Sequence, residues 1–173
     1  MPVSSTTSNN NIIITADEAI KAGSEYQKAV LKEGRSDNNK VVRDVYVDAS
    51  WYLPNINRDP DMDYKMRRIV GSVRFDIDKI RDTSNDYVKS LPHMVPKPQV
   101  MEKWLKDNKI NPNKDRLIVY THPGSCGGPR VWWLFNLYGF NTVYLQGGLI
   151  AWEAADGPVE WGWDDNNNNV EDN

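Results

Sequence analysis

The chain is predicted to fold as one α/β domain of three layers, α/β/α, around a central, mainly parallel sheet. Short runs that are apolar on both faces predict strands that are covered by helices on both sides. Helical stretches lie between these runs, and that alternation is typical of a parallel sheet. The length of 173 residues suits a single domain. We therefore expect one folded unit over residues 12–163.

The candidate elements alternate in chain order. Thr15 and Glu18 fit a capping box, in which each side chain accepts a hydrogen bond from an amide at the start of a helix. A helix is predicted from there to about Glu33. Apolar runs predict strands at residues 45–47, 72–75, 117–120 and 142–145, and prolines mark the starts of helices at 99–107 and 129–138. Residues 51–69, with two prolines, many charges and little periodicity, are predicted to form a surface excursion.

Composition narrows the class of protein. Residues 1–11 and 164–173 are polar and Asn-rich, so we expect disordered tails there. The formal net charge is −3 and no basic stripe is present, which argues against a nucleic-acid partner. No apolar run approaches the roughly 20 residues that span a bilayer, so no membrane association is expected. The first basic residue is Lys21, which fits neither a signal peptide nor a transit segment, and the expected location is cytoplasmic.

Cysteine and histidine counts limit the metal chemistry. Cys126 is the one cysteine, so the chain cannot form an internal disulfide. With His93 and His122 as the two histidines, a zinc site is poorly supported, and we predict no metal and no other cofactor. His93 lies between prolines and apolar residues, which favours an ordered structural loop.

The turn at residues 122–128 is where chemistry is most expected, because it joins a buried strand to the start of a helix. Ligands collect where loops leave the carboxyl ends of parallel strands, and helix N-termini favour anions. Cys126 lies in this turn, near His122 and Arg130, a setting that favours a thiolate. We predict Cys126 as nucleophile and His122 as base or thiolate partner. An anionic substrate would be held by the residues Gly124, Ser125, Gly127, Gly128 and Arg130.

Each of these residues also has a structural interpretation. Cys126 could be a small filler in a tight turn, His122 could hydrogen-bond the backbone, and Arg130 could be solvated. The pair Trp132 and Trp133 is predicted to be helix core, with one ring facing a ligand as the alternative.

Five segments, in order and at similar spacing, resemble the rhodanese superfamily: 47–54 (VDASWYLP), 75–80 (FDIDKI), 91–94 (LPHM), 129–133 (PRVWW) and 147–152 (GGLIAW). More narrowly, they are similar to the N-terminal domain of two-domain thiosulfate and 3-mercaptopyruvate sulfurtransferases, over residues 12–163. The resemblance implies a rhodanese-like parallel sheet flanked by helices. It also implies a loop cysteine that accepts sulfane sulfur as a persulfide, and it leaves a mitochondrial location open.

The chain departs from the family pattern at three places. In two-domain relatives the catalytic cysteine belongs to the C-terminal domain, and the place of that nucleophile falls here on His122, four residues before Cys126. Residues 68–72 (RIVGS) replace a turn of the His-Ile-Pro-Gly-Ala type. Asp48 is not followed by the arginine common in catalytic domains.

Three hypotheses follow. The first is a sulfurtransferase in which Cys126 carries sulfur from a small anionic donor, thiosulfate or 3-mercaptopyruvate, to a thiol or cyanide acceptor. The second is a catalytically inactive rhodanese-like module that binds a protein partner, which the sequence does not identify, or an anion. The third, a rhodanese-related phosphatase, is disfavoured because three residues between Cys126 and Arg130 make a short loop for phosphate.

Overall fold

The computed structural model describes residues 12–33 and 42–162 of the chain. The expected tails at 1–11 and 164–173, and residue 163 at the expected domain end, lie outside these ranges. None of the described helices is long and apolar enough to cross a membrane.

A five-stranded sheet forms the centre of the domain, and all its strands are parallel. The spatial order is first, sixth, fifth, second, fourth. Its strands are β1 Ile13–Ile14, β2 Arg43–Asp48, β4 Val73–Arg74, β5 Asp115–Tyr120 and β6 Thr142–Leu145. A separate antiparallel pair joins β3 Arg68–Ile69 to β7 Val159–Glu160. The predicted parallel sheet is therefore confirmed, with three of the four predicted strands at nearly the predicted positions and residues 72–75 shortened to β4.

Helices cover both faces of the sheet, as expected for strands with two apolar faces. They are α1 Ala16–Glu33, α2 Pro60–Met66, α3 Asp86–Ser90, α4 Pro98–Asp107, α5 Gly128–Leu137 and α6 Gly148–Ala154. One buried cluster packs β2 and β5 against α4 and α5, and a second packs the opposite face against α1 and α6. The α/β/α class is confirmed.

The start of α1 follows the predicted capping box. The Thr15 amide donates to Glu18 Oε2 at 2.9 Å, and the Glu18 amide donates to Thr15 Oγ1 at 3.3 Å. These bonds satisfy two amides that have no partner inside the helix. Thr15 is the one residue between the end of β1 and the start of α1.

The prediction of a surface excursion over residues 51–69 is wrong in part, because this stretch contains α2 and β3. The Asp59 carboxylate caps α2 by accepting from the amides of Asp61 and Met62, and Pro60 occupies its first turn. Ile69 is 1% exposed. Caps and polar contacts determine this short helix, which has no buried residue of its own and so carries no apolar periodicity.

Candidate active site at the carboxyl edge of the sheet

The Cys126 turn, residues 122–128, connects β5 to α5 and rests on the loop that follows β2. Hydrogen bonds join this loop to the end of β5 and to the turn. They run from Ala49 N to Tyr120 O (2.9 Å), from His122 N to Ser50 Oγ (2.9 Å), from Trp51 N to Ser125 Oγ (2.9 Å) and from Cys126 N to Trp51 O (3.0 Å). The turn is thereby fixed at the carboxyl ends of two adjacent central strands, where the sheet topology places ligand sites.

Two glycines of the turn are required by close approach of neighbouring groups. A Cβ on Gly127 would lie 2.2 Å from the carbonyl oxygen of Ala49, and one on Gly128 would lie 2.6 Å from the Tyr144 hydroxyl. Gly124 has φ of 77° and lies in the left-handed region that glycine tolerates. These positions therefore hold the turn against the sheet.

His122 points into the protein. Its side chain is almost fully buried, and Nε2 lies 3.3 Å from Oδ2 of Asp48, which is fully buried at the end of β2. The other carboxylate oxygen of Asp48 accepts from the Ser50 amide at 2.8 Å and lies 3.5 Å from Nη1 of Arg74. Within the described ranges, no hydrogen bond joins the His122 ring to the Cys126 thiol.

Three amides of the predicted anion cradle already have acceptors in the protein. Ser125 N donates to His122 O at 3.2 Å, Cys126 N to Trp51 O at 3.0 Å, and Gly127 N to Ser125 Oγ at 3.4 Å. These groups do not converge on one point in this structure. Their first effect is to hold the turn in shape.

The Cys126 thiol is exposed. Its Sγ lies 3.7 Å from the carbonyl oxygen of Trp51, a weak S–H contact. The residue directly precedes Gly127, the N-cap of α5, so the thiol lies at the positive end of a ten-residue helix. An exposed side chain fills no core space, and a soluble reagent can reach this one.

A pair of ionisable side chains, Asp78 and His93, lies next to the turn, and sequence reasoning missed it. His93 Nε2 is 3.0 Å from Asp78 Oδ1, and the other Asp78 oxygen accepts from the Trp51 indole at 2.8 Å. The rings of Trp51 and His93 meet edge to face, with centroids 4.7 Å apart. Because Trp51 also holds Cys126 through its carbonyl, one residue connects the pair to the turn.

The backbone of His93 is strained. Its φ is 52°, which is uncommon for a residue other than glycine, and such strain clusters at functional sites. Sequence reasoning assigned His93 a structural loop role. The available signal was that His93 and Asp78 both lie in segments that carry the family resemblance.

Arg130 is directed to the same place. Its Nη2 donates to the carbonyl oxygen of His93 at 2.6 Å, and its guanidinium lies 4.5 Å over the Trp133 ring. Trp132 packs against the core, whereas Trp133 is 42% exposed, so the predicted core pair is wrong for Trp133. Adjacent residues of a helix point in different directions, which explains the difference.

Arg58 holds the first half of the turn and was also missed. Its Nη1 donates to Pro123 O at 2.5 Å, and its Nη2 lies 2.6 Å from Asp63 Oδ2. The Tyr52 hydroxyl donates to the same carboxylate oxygen. Burial, the hydrogen bond to Asp63 and the negative charge there raise the pKa of Tyr52 well above its ordinary value. Tyr52 therefore remains a neutral donor.

Comparison with known proteins identifies the family. The model of the rhodanese-like domain matches residues 28–155. The chain is 37% identical over 115 residues to thiosulfate/3-mercaptopyruvate sulfurtransferase 1, mitochondrial, of Arabidopsis thaliana, which covers 66% of this chain and 29% of that protein. It is 32% identical over 119 residues to 3-mercaptopyruvate sulfurtransferase of Homo sapiens, over 67% and 38% of the two chains.

Solved structures agree. Tum1 of Saccharomyces cerevisiae matches with a TM-score of 0.65 and 29% identity, over 88% of this chain and 44% of that one. The 3-mercaptopyruvate sulfotransferase SseA of Escherichia coli matches with a TM-score of 0.64 and 25% identity, over 88% and 51%. The chain spans about a third to a half of the length of these relatives. With the family model matching most of the chain and the parallel sheet in place, this protein belongs to the rhodanese-like domain family.

Proposed function

We propose that this domain is a sulfurtransferase that moves sulfane sulfur from thiosulfate or 3-mercaptopyruvate, with Cys126 as the carrier. One observation carries the proposal: the exposed thiol lies at the N-terminus of α5, on the carboxyl edge of the sheet. The relatives named above for these two donors support the choice of substrates. Both donors are anions, which suits a helix N-terminus.

The reaction would proceed in two displacements at sulfur. The Cys126 thiolate attacks the outer sulfur of thiosulfate, the S–S bond breaks, and sulfite leaves with the electron pair. Cys126 then holds a persulfide. A thiolate or cyanide attacks the outer sulfur of that persulfide, and the Cys126 thiolate leaves. With 3-mercaptopyruvate the C–S bond breaks instead, and the carbon that keeps the electron pair requires a proton to become pyruvate.

His93 is suited to supply that proton. The Asp78 carboxylate and the Trp51 ring fix its imidazole, the arrangement by which an acid–base histidine is oriented. We place proton transfer on His93 instead of His122, because the His122 ring is directed at the buried Asp48 carboxylate. Arg130 uses one of its five N–H groups on His93 O, so it retains donors for an anionic substrate.

A second candidate is a catalytically inactive rhodanese-like module. A specific observation favours it: His122, which the family resemblance aligns with the nucleophile's place, is buried, while three amides of the turn are bonded within the protein. In such a module the turn would serve as a rigid surface for a protein partner or an anion. The two candidates differ in whether the Cys126 thiol accepts sulfur and passes it on.

Turnover measurements separate the two candidates. We expect the protein to release sulfite from thiosulfate when cyanide is added, and Cys126→Ser to release none. His93→Ala should lower turnover of 3-mercaptopyruvate by about 10²-fold or more, since that donor needs a proton, and should affect thiosulfate less. Lys103→Ala, an exposed change on α4, is the control and should match the parent. If the folded protein turns over neither donor, the sulfurtransferase proposal fails and the inactive module remains as the candidate function.

A further inference from the structure

A buried polar cluster lies directly under the Cys126 turn. Asp48 is fully buried, with Ser50 N and Arg74 Nη1 at one carboxylate oxygen and His122 Nε2 at the other. Removing a carboxylate from water costs several kcal/mol unless its partners are in place. The charge of Asp48 therefore constrains where the His122 ring can lie.

His122 is held at three points. Its ring faces Asp48, its amide donates to Ser50 Oγ, and its carbonyl oxygen accepts from the Ser125 amide. The ring contact uses the end of β2, and the amide bond uses the loop after it. Ring and backbone together fix the direction in which the chain leaves β5.

A continuous series of contacts leads from this cluster to the thiol. The Ser125 amide is bonded to His122, and the Ser125 hydroxyl accepts from the Trp51 amide at 2.9 Å. The Trp51 carbonyl oxygen in turn accepts from the Cys126 amide at 3.0 Å and contacts Sγ. Displacement of His122 would therefore be passed to Cys126 through one bond within the turn and two bonds between the turn and the loop after β2.

We propose that Asp48 and His122 form a positioning pair that determines where the Cys126 thiol lies, with His122 Nε2 held 3.3 Å from the buried Asp48 Oδ2. The pair does not touch the reacting atoms. Its functional meaning rests on the proposed sulfur carrier. Arg74 supports the pair from β4, where its Nη1 also donates to Ser50 O at 3.0 Å.

The rate at which iodoacetamide alkylates Cys126 tests the pair. The rate is measured for the folded protein and again in urea, for His122→Ala, His122→Gln and Leu149→Ala, with folding checked by circular dichroism. Leu149 is buried in the cluster that packs α6 against the sheet and controls for loss of stability. In His122→Gln an amide nitrogen can take the place of Nε2 beside Asp48.

In His122→Ala we expect the alkylation rate of the folded protein to change about tenfold in the direction of the rate in urea. This factor corresponds to ~1.4 kcal/mol of free energy that holds the thiol in place. His122→Gln should restore the parent rate, and Leu149→Ala should keep it. Any of three results would overturn the proposed positioning pair. They are a parent alkylation rate in His122→Ala, a His122→Gln rate that does not return to the parent value, and a rate change in Leu149→Ala equal to that in His122→Ala. Alkylation needs no sulfur transfer, so the two proposals can fail separately. If the protein turns over neither donor but shows this pattern of alkylation rates, the proposed function is wrong and the positioning pair stands.

Discussion

The floor and the rim of the site differ in how their polar groups are satisfied. The floor consists of Asp48, Ser50, Arg74 and His122, which are largely buried and in contact with one another. The rim consists of Cys126, Asp78, His93 and Arg130, which are wholly or partly exposed. The floor groups compensate one another's burial, whereas the rim groups stay within reach of a ligand.

This difference teaches that one short turn can serve two purposes. Its first residue, His122, anchors the turn in the protein, and Cys126, four residues later, faces solvent. By residue type alone both would be candidates for catalysis. Burial and partners separate them, because His122 is enclosed beside Asp48 and Cys126 is accessible.

The largest expected effect is on stability, from the floor. Asp48→Ala leaves the Ser50 amide without its acceptor and removes the buried carboxylate beside Arg74 and His122. It should lower the free energy of unfolding by about 3–5 kcal/mol. The matched change Asp107→Ala removes an exposed partner of Lys103 and should cost less than about 1 kcal/mol. Urea unfolding measures both. Equal losses in the two variants would mean that the floor is not a buried network.

The close contact between the turn and the loop after β2 should make stability sensitive to a single added methyl group. Gly127→Ala places a Cβ against the Ala49 carbonyl oxygen and the Trp51 side chain, and it should destabilise the fold by about 1–3 kcal/mol. Gly23→Ala, in α1 with no heavy atom within 4 Å of the added Cβ, should stabilise it by about 0.5–1 kcal/mol. Thermal unfolding compares them. A neutral Gly127→Ala would show that the turn does not rest on the loop after β2.

A smaller, pH-dependent effect on stability is expected at Asp61, a partly exposed residue beside the floor. Burial alone would raise the pKa of Asp61, but hydrogen bonds from Lys79 and Arg74 lower it overall. The stability from this carboxylate is present above the unfolded pKa of about 4 and is lost as pH falls through the lower folded value. Asp61→Asn should cost less than about 1 kcal/mol at neutral pH, since the group is partly exposed.

That cost should vanish in acid and shrink in high salt, because it arises from charges near the surface. Urea unfolding of both proteins across pH measures it. A difference that stays constant from neutral to strongly acid pH would contradict the ionic origin of the effect.

The parts of the fold that could be predicted are those coded by local pattern. Strands β2, β5 and β6 are apolar on both faces, and the start of α1 is coded within four residues. Strand β3 could not be predicted, because it forms by pairing with β7, which lies far along the chain. The same holds for α2, whose stability depends on a cap and on polar contacts.

The place of the candidate site was predicted, but the directions of its side chains were not. Strand, glycine-rich turn and helix identify residues 122–128 from sequence. The inward direction of His122 depends on Asp48, and the Asp78–His93 pair forms only when two separate loops meet. Such contacts depend on tertiary packing, which no periodicity encodes.

The most direct test of the central claim is the mass of the intact protein after incubation with thiosulfate or with 3-mercaptopyruvate. We predict an increase of one sulfur atom, located on Cys126 by peptide mapping, removed by cyanide and absent from Cys126→Ser. A folded protein whose mass is unchanged by both donors would contradict the claim that the exposed half of the turn carries sulfur.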